Sequence, residues 1–258
     1  MIRILRAALF GCLTLVILPP LSLATIAFDN TSNANTGLAV GVTVSHTVTS
    51  NTNGILIVGV GLDRPTGPTV SGITALKGGV ATALTFIRAD GTGVERTELW
   101  YILLPDTGTN SVVLTYSAQV SGSIVGVVSL TGVDQVSPID AQNGTFGNSG
   151  TASTSVTTVA DNAWIVDAML QNSSATVTMT PHTNRVERWN VSQPVDLIVG
   201  AGSTQGPITP AGASTMDWTF TAIPWAISAA SFKPFVSAAV TGTKIMGPSA
   251  LVGKTSIQ

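Results

Sequence analysis

Residues 102–111 read ILLPDTGTNS, and two kinds of chemistry use parts of that string. Residues 104–108, Leu-Pro-Asp-Thr-Gly, have the form that sortases cut when they anchor a protein to a cell wall. Residues 106–108, Asp-Thr-Gly, have the form of the loop carrying the carboxylate of an aspartic protease. A sorting signal stands near the C-terminus ahead of an apolar span, whereas Leu104 is mid-chain with strand-like segments after it. An aspartic protease needs two carboxylates sharing one proton, and no second Asp-Thr-Gly or Asp-Ser-Gly exists. A turn explains every letter: Pro105 fixes φ, Asp106 and Thr107 satisfy loop amides, and Gly108 supplies a positive φ. The segment is expected to be a hairpin connection between ELWYILL and SVVLTY.

Other constellations are weaker. Residues 147–150, Gly-Asn-Ser-Gly, resemble a serine-protease nucleophile loop, but Ser149 needs an imidazole to take its proton. The two histidines, His46 in the alternating VTVSHTVTS and His182 after Pro181, have no tie to it and no metal spacing. Residues 147–150 are expected to be a loop. Asp134, Asp140 and Asn143 fall in one loop, VDQVSPIDAQNG, and give a weak calcium candidate without a dense Asp-x-Asp run. A glycosidase needs two facing carboxylates. Glu95 and Glu98 have opposite parity on one strand, and only Glu187 is left to meet either of them. Enzymatic activity is not expected, and a glycoside hydrolase is the third reading.

One aromatic residue breaks the core pattern. In RVERWNVS, strand parity puts Trp189 on one face with Arg185 and Glu187. That face is amphipathic, so Trp189 is expected to be partly exposed. A flat ring beside Arg185, Glu187 and Asn184 suits a pyranose face and its hydroxyls. The favoured reading is nonetheless a ring covering a sheet edge beside long charged stems. Asp63 and Arg64 would flank such a site if their turn lies at the same end. Asn30, Asn143, Asn172 and Asn190 head Asn-x-Ser/Thr triplets, which matter where a host glycosylates asparagine.

The elements that must position these residues read as β-strands. Of the 258 residues, 44% are hydrophobic and only 9% charged, and the net charge is −2. Nothing forms a basic stripe, so nucleic acid is not an expected partner. Residues 1–24 have two arginines, an apolar run, Pro19-Pro20 and small residues, the pattern of a secretory signal peptide. Cleavage is placed after Ala24, with Ala27 as the alternative, leaving no membrane span. Cys12, the one cysteine, leaves with the signal, so no disulfide or thiolate site is expected in the mature chain. The expected location is extracellular or cell-surface.

Segments such as GILIVGVGL (54–62), ELWYILL (98–104), GSIVGVVSLTG (122–132) and AWIVDAMLQ (163–171) are short, β-branched or aromatic, and separated by turn residues. GILIVGVGL is apolar on both faces and belongs in the middle of a sheet. Trp164, Val166, Ala168 and Leu170 share one buried face, as do Met216, Trp218 and Phe220. The two halves echo each other at an offset of about 100 residues. The fold class is therefore all-β: an antiparallel β-sandwich of jelly-roll, Greek-key type, with two halves that could be a pseudo-repeat. Residues 25–234 form the sandwich. Residues 235–258 form a tail, or an arm that adds a strand to a neighbouring subunit.

The order NGILIVGVGL, ELWYILLPDTGTNSVVLTY, GVVSLTGVDQVSPI, ISAASFKP resembles a group of secreted bacterial β-sandwich modules, over about residues 26–234. The resemblance implies a lectin-like jelly roll in extracellular surface proteins, and it carries over no catalytic residue. The leading expectation is a non-catalytic extracellular module that binds a glycan or cell-surface polymer, with no cofactor apart from the weak calcium candidate. The alternative is a structural subunit of a surface layer or filament, self-associating through residues 235–258.

Overall fold

The computed structural model describes residues 24–237 apart from 65, 66, 92 and 174. The expected signal peptide and most of the expected tail lie outside them. Among the described residues every regular element is a strand and every pairing is antiparallel. The chain runs through β1 (Ala27–Thr36), β2 (Ala39–Val48), β3 (Ile55–Asp63), β4 (Val70–Lys77), β5 (Val80–Ala83), β6 (Thr85–Asp90), β7 (Glu95–Leu103), β8 (Gly108–Val120) and β9 (Gly122–Thr131). It continues through β10 (Ile139–Thr157), β11 (Ala163–Gln171), β12 (Thr178–Met179), β13 (Arg185–Gln193), β14 (Ile198–Ile208) and β15 (Ala213–Phe232).

The first half makes two sheets. An inner sheet has the order β1-β9-β3-β7-β6, and a cover sheet has the order β2-β8-β4-β5. The second half repeats this arrangement with fewer, longer strands. Its inner sheet is β10-β15-β11-β14-β13. The strands β10 and β15 bend, so residues 151–157 and 213–219 leave that sheet and pair with each other. With β12 beside 218–219, they form the second cover. Strand for strand, the inner orders correspond: β1 to β10, β9 to β15, β3 to β11, β7 to β14 and β6 to β13. The echo in the sequence thus corresponds to a shared strand order in the two inner sheets.

The two inner sheets stack face to face. The edge strand β1 meets β13, and β6 meets β10, the reciprocal contacts of a pseudo-two-fold axis. Ile55, Ile57, Leu99, Val128 and Leu130 on one side meet Val166, Ala168, Leu170 and Phe232 on the other. The other face of the first inner sheet packs on its cover through Val58, Val60, Val112 and Leu114. The second half has its own outer core around Ile165, Met169, Met216 and Trp218. β3 is therefore buried over its whole length, as its two apolar faces require.

The sequence misleads at three places. Residues 102–111 are not a hairpin, because β7 belongs to the inner sheet and β8 to the cover. They arch between sheets, and Asp106 is held across to another turn, where its carboxylate accepts from Gly78 N at 2.6 Å and Gly79 N at 2.7 Å. Residues 139–157 are a strand, not loops. Their polar composition suits an outer strand that covers little core, and β15 supplies the pairing. Finally, Trp189 is buried at 4% exposure, not partly exposed. A register shift between Glu187 and Trp189 puts a bulge into β13, which reverses the parity after it. Trp189 then enters the seam between the halves, over Gly59, Gly126 and Gly202, where a Cβ on Gly126 or Gly202 would overlap the indole.

Candidate functional site

The β7 strand alternates between two environments. Thr97, Leu99 and Tyr101 face the seam, whereas Arg96, Glu98 and Trp100 face the cover of the first half. On this second face three side chains form a chain of contacts. The Glu98 carboxylate is 1% exposed. Its Oε1 accepts from Arg96 Nε at 2.6 Å and from Val70 N at 3.3 Å, and its Oε2 accepts from Trp100 Nε1 at 3.0 Å. Burying a carboxylate is costly unless its lone pairs are filled, and these contacts fill them.

The outer end of this chain is open. β6 is the last strand of its sheet, and its Phe86 stands opposite Trp100 in register. The rings meet edge to face, with centroids 5.0 Å apart and planes at 70°. Phe86 is 46% exposed, so the pair presents an apolar surface at the sheet edge. The Arg96 side chain is 21% exposed, and its terminal nitrogens hold no hydrogen-bond partner among the described residues. Arg64, one residue beyond β3, is 9% exposed, and its buried Nε has no partner. Its backbone makes a turn with Gly67 and ties to Val94, which holds it at the same end of the sheet. Burial, and then the positive charge of Arg96, lower the pKa of this guanidinium, while Glu98 and Glu95 act in the opposite sense. Aromatic faces beside unfilled guanidinium donors can take a ring with polar substituents.

The second half has a closed counterpart. Asp167 is fully buried and accepts from Arg185 Nη2 at 3.2 Å, Trp218 Nε1 at 2.8 Å and Ser203 Oγ at 2.7 Å. Arg185 also donates to Asp217, which holds His182 at 2.8 Å. An arginine, a carboxylate and an indole thus recur, shut inside the core.

The residues singled out in the sequence are scattered. Arg185 belongs to the closed network, Asn184 is exposed in the turn before it, and Trp189 is in the seam. Glu187 is exposed and bonds Asn190 at 3.2 Å, far from Glu95 and Glu98, which face opposite sides of the first inner sheet. Asp63 and Arg64 lie at the Gln193 end of β13, away from Asn184. Of these, only Arg64 is in the open cluster. Asp134 caps the amides of Val136 and Ser137, and Asp140 those of Val159 and Ala160. The carboxamides of Asn30, Asn143, Asn172 and Asn190 all donate within the fold. Phe86 and Trp100 were missed because their segments read as plain core strands. The shared parity of Arg96, Glu98 and Trp100 was the available signal.

Two further polar groups are internal. His46 is 1% exposed, and its Nε2 meets Ser129 Oγ at 3.0 Å, while Ser129 donates to Asp29 at 2.7 Å. Burial works against the Asp29 charge, but hydrogen bonds from Ser129, Thr49 and Ser50 hold its pKa below the usual value. An ionised Asp29 fixes Ser129 as donor, so His46 Nε2 carries the proton and Nδ1 accepts from Ser32 at 2.6 Å. Burial pushes the imidazole down to about 4, a weak base for activating a hydroxyl. Ser149 has no histidine and instead accepts from Trp225 Nε1 at 3.0 Å. In the seam, Asp63 stands opposite Glu95 in register, with Asp196 against Gly122. Burial, then Asp196 and Glu95, push Asp63 up to about 6. Asn172 donates to Glu95 at 3.0 Å.

Among the described residues, no group of three or more His, Cys, Asp or Glu could hold a metal ion, and no helix is long and apolar enough to cross a membrane. Comparison with protein-family models, with curated proteins and with solved structures returns no match.

Proposed function

We propose that this chain is a non-catalytic extracellular module that binds a glycan at a cell or envelope surface through the open edge of its first half. The observation that carries the reading is the exposed Phe86 ring on Trp100, with the Arg96 guanidinium joined to Trp100 through Glu98 and Arg64 beyond it. The leader-like residues 1–24 support secretion. Omitting β6, the first half has the order first-eighth-third-sixth over second-seventh-fourth-fifth, the winding of a jelly roll, which supports the lectin-like reading. A glycan array with the wild type and Phe86→Ala tests it. The wild type is expected to bind and the variant to lose at least tenfold in affinity while its melting temperature holds. Absence of binding across neutral and acidic glycans would refute the reading.

A second reading is a structural subunit. The strand β10 is the outermost strand of its sheet, and over its 19 residues it carries one charge, Asp140. A long, nearly uncharged outer strand is a template for pairing with another chain. Size-exclusion chromatography with negative-stain microscopy tests it. Filaments or sheets that Phe146→Lys disperses would support the subunit, and a clean monomer would exclude it.

A further inference from the structure

We propose that Asp63 and Asp196 together hold a divalent cation of the calcium class, which ties the two halves of the chain to each other at one end of the seam. The inference is independent of the glycan reading and concerns the other face of the first inner sheet.

Strand parity sorts the charges at this end. Arg96 and Glu98 point to the cover and pair there at 2.6 Å. Asp63 instead follows Gly59 and Gly61, which face Ala168 and Leu170 across the seam. On one side Asp63 stands opposite Glu95 in register, and on the other it stands opposite Gly122. Gly122 has no side chain, and the Asp196 carboxylate uses the space: a Cβ on Gly122 would lie 2.8 Å from Asp196 Oδ2. Asp196 belongs to the connection between β13 and β14, in the second half. Carboxylates from both halves therefore meet at the end of the seam.

These charges do not cancel. The carboxylates here are Asp63, Glu95, Glu98 and Asp196, and the guanidiniums are Arg64 and Arg96. Glu98 is bound by Arg96, and Arg64 is favoured by Glu98 and Glu95. No guanidinium forms an ion pair with Asp63 or Asp196 among the described residues. The surplus is Asp63 and Asp196, which one divalent cation offsets.

Their oxygens are free to take it. Asp63 is 8% exposed, and its Oδ1 and Asp196 Oδ2 are both buried without a hydrogen-bond partner. A buried carboxylate ordinarily fills its lone pairs, as Glu98 and Asp167 do in this fold. After burial, Asp196 opposes the Asp63 charge most, ahead of the cross-strand neighbour Glu95. Neighbouring strands set facing Cβ positions about 5 Å apart. Two carboxylates across that interval suit a cation that takes oxygens at about 2.3–2.6 Å in flexible geometry. Glu95 is a neighbour rather than a ligand, since its Oε1 already accepts from Asn172 at 3.0 Å. Asp196 is only half-buried, so water can complete the shell.

The test is calorimetry and thermal melting of the whole protein at neutral pH, stripped with EDTA, dialysed and titrated with calcium chloride. Sodium chloride at equal ionic strength is the reference. With a dissociation constant of about 0.1–1 mM, about 10 mM calcium is expected to raise the melting temperature of the wild type by about 3–10 °C. Asp63→Asn and Asp196→Asn are each expected to fold, to melt no lower than wild type in EDTA, and to lose at least tenfold in calcium affinity. Asp134→Asn, in the loop whose carboxylate caps amides, is expected to keep the wild-type response. A wild type that calcium moves no more than sodium does would overturn the proposal. So would a calcium response that survives in both Asp63→Asn and Asp196→Asn, or one that only Asp134→Asn removes.

Discussion

Replacing Asp63 by Asn should stabilise the protein at neutral pH and reshape its acid response. Asp63 is 8% exposed, its Oδ1 has no partner, and it faces Glu95 and Asp196. Its pKa rises from 3.8 to about 6 on folding. The folded state therefore binds more protons than the unfolded state between those values, and stability falls as pH rises through that window. Two units correspond to about 3 kcal/mol of penalty once the group is ionised. A carboxamide in its place carries no charge and offers two donors to the neighbouring carboxylates, so the variant should gain about 2–3 kcal/mol at pH 7.5 and nothing below pH 4. His46 acts in the opposite sense. Its pKa falls from 6.5 to about 4, so stability is lost as the solution is acidified through that interval. In the wild type the two slopes oppose each other and the profile from pH 4 to 6 should be shallow. In Asp63→Asn the opposing Asp63 slope is gone, so the His46 contribution, a loss of about 3 kcal/mol between pH 7 and 4, should steepen the profile. Urea denaturation of both proteins at pH 4, 5, 6 and 7.5 reads this directly. A variant less stable than wild type at pH 7.5, or one with an unchanged profile, would refute the reasoning.

Further substitutions test the structural roles of Trp189, the Asp167–Arg185 pair and Gly202. Trp189→Ala removes the indole from the seam and should cost about 3–5 kcal/mol, measured by urea denaturation. Asp167→Ala takes one of two carboxylate partners from the Arg185 guanidinium, whose side chain is 0% exposed, and leaves Trp218 Nε1 without its acceptor, so it should cost about 3–5 kcal/mol, whereas Asp167→Leu with Arg185→Met should recover most of it in the same denaturation assay. Gly202→Val should unfold the protein or expose the seam, seen as a red-shifted tryptophan emission, because a side chain there occupies the space of Trp189.

The core strands were legible because burial on both faces leaves a continuous apolar run, as in β3, and burial on one face leaves an alternation, as in Met216, Trp218 and Phe220. The outer strand β10 was not, since a strand that covers little core needs no apolar pattern. Nor was the bulge at Glu187, which converts the parity that suggested an exposed Trp189 into one that buries it. An inserted residue has no local marker when neither neighbour is glycine. The destination of a connection was also hidden: the turn chemistry of residues 104–108 is real, but turn residues do not say whether the next strand pairs back or crosses to another sheet. The open cluster depends on such information twice. Phe86 meets Trp100 only through the β6–β7 register, and Arg64 reaches Arg96 only because β3 is β7's other neighbour.

The stacked inner sheets set a schedule for making the protein. The first half presents Ile55, Ile57, Leu99 and Leu130 on a face that nothing covers until β11 to β15 have been synthesised. At ribosomal speed those residues follow within about 5–20 s, a long wait for an apolar sheet in water. Most of the strand pairings join non-consecutive strands, so closure is slow as well. Unless a holding partner or the export machinery keeps the nascent first half extended, its bare face is the surface through which unfinished chains would find one another. A truncation after β9 should accordingly yield aggregates rather than a working half.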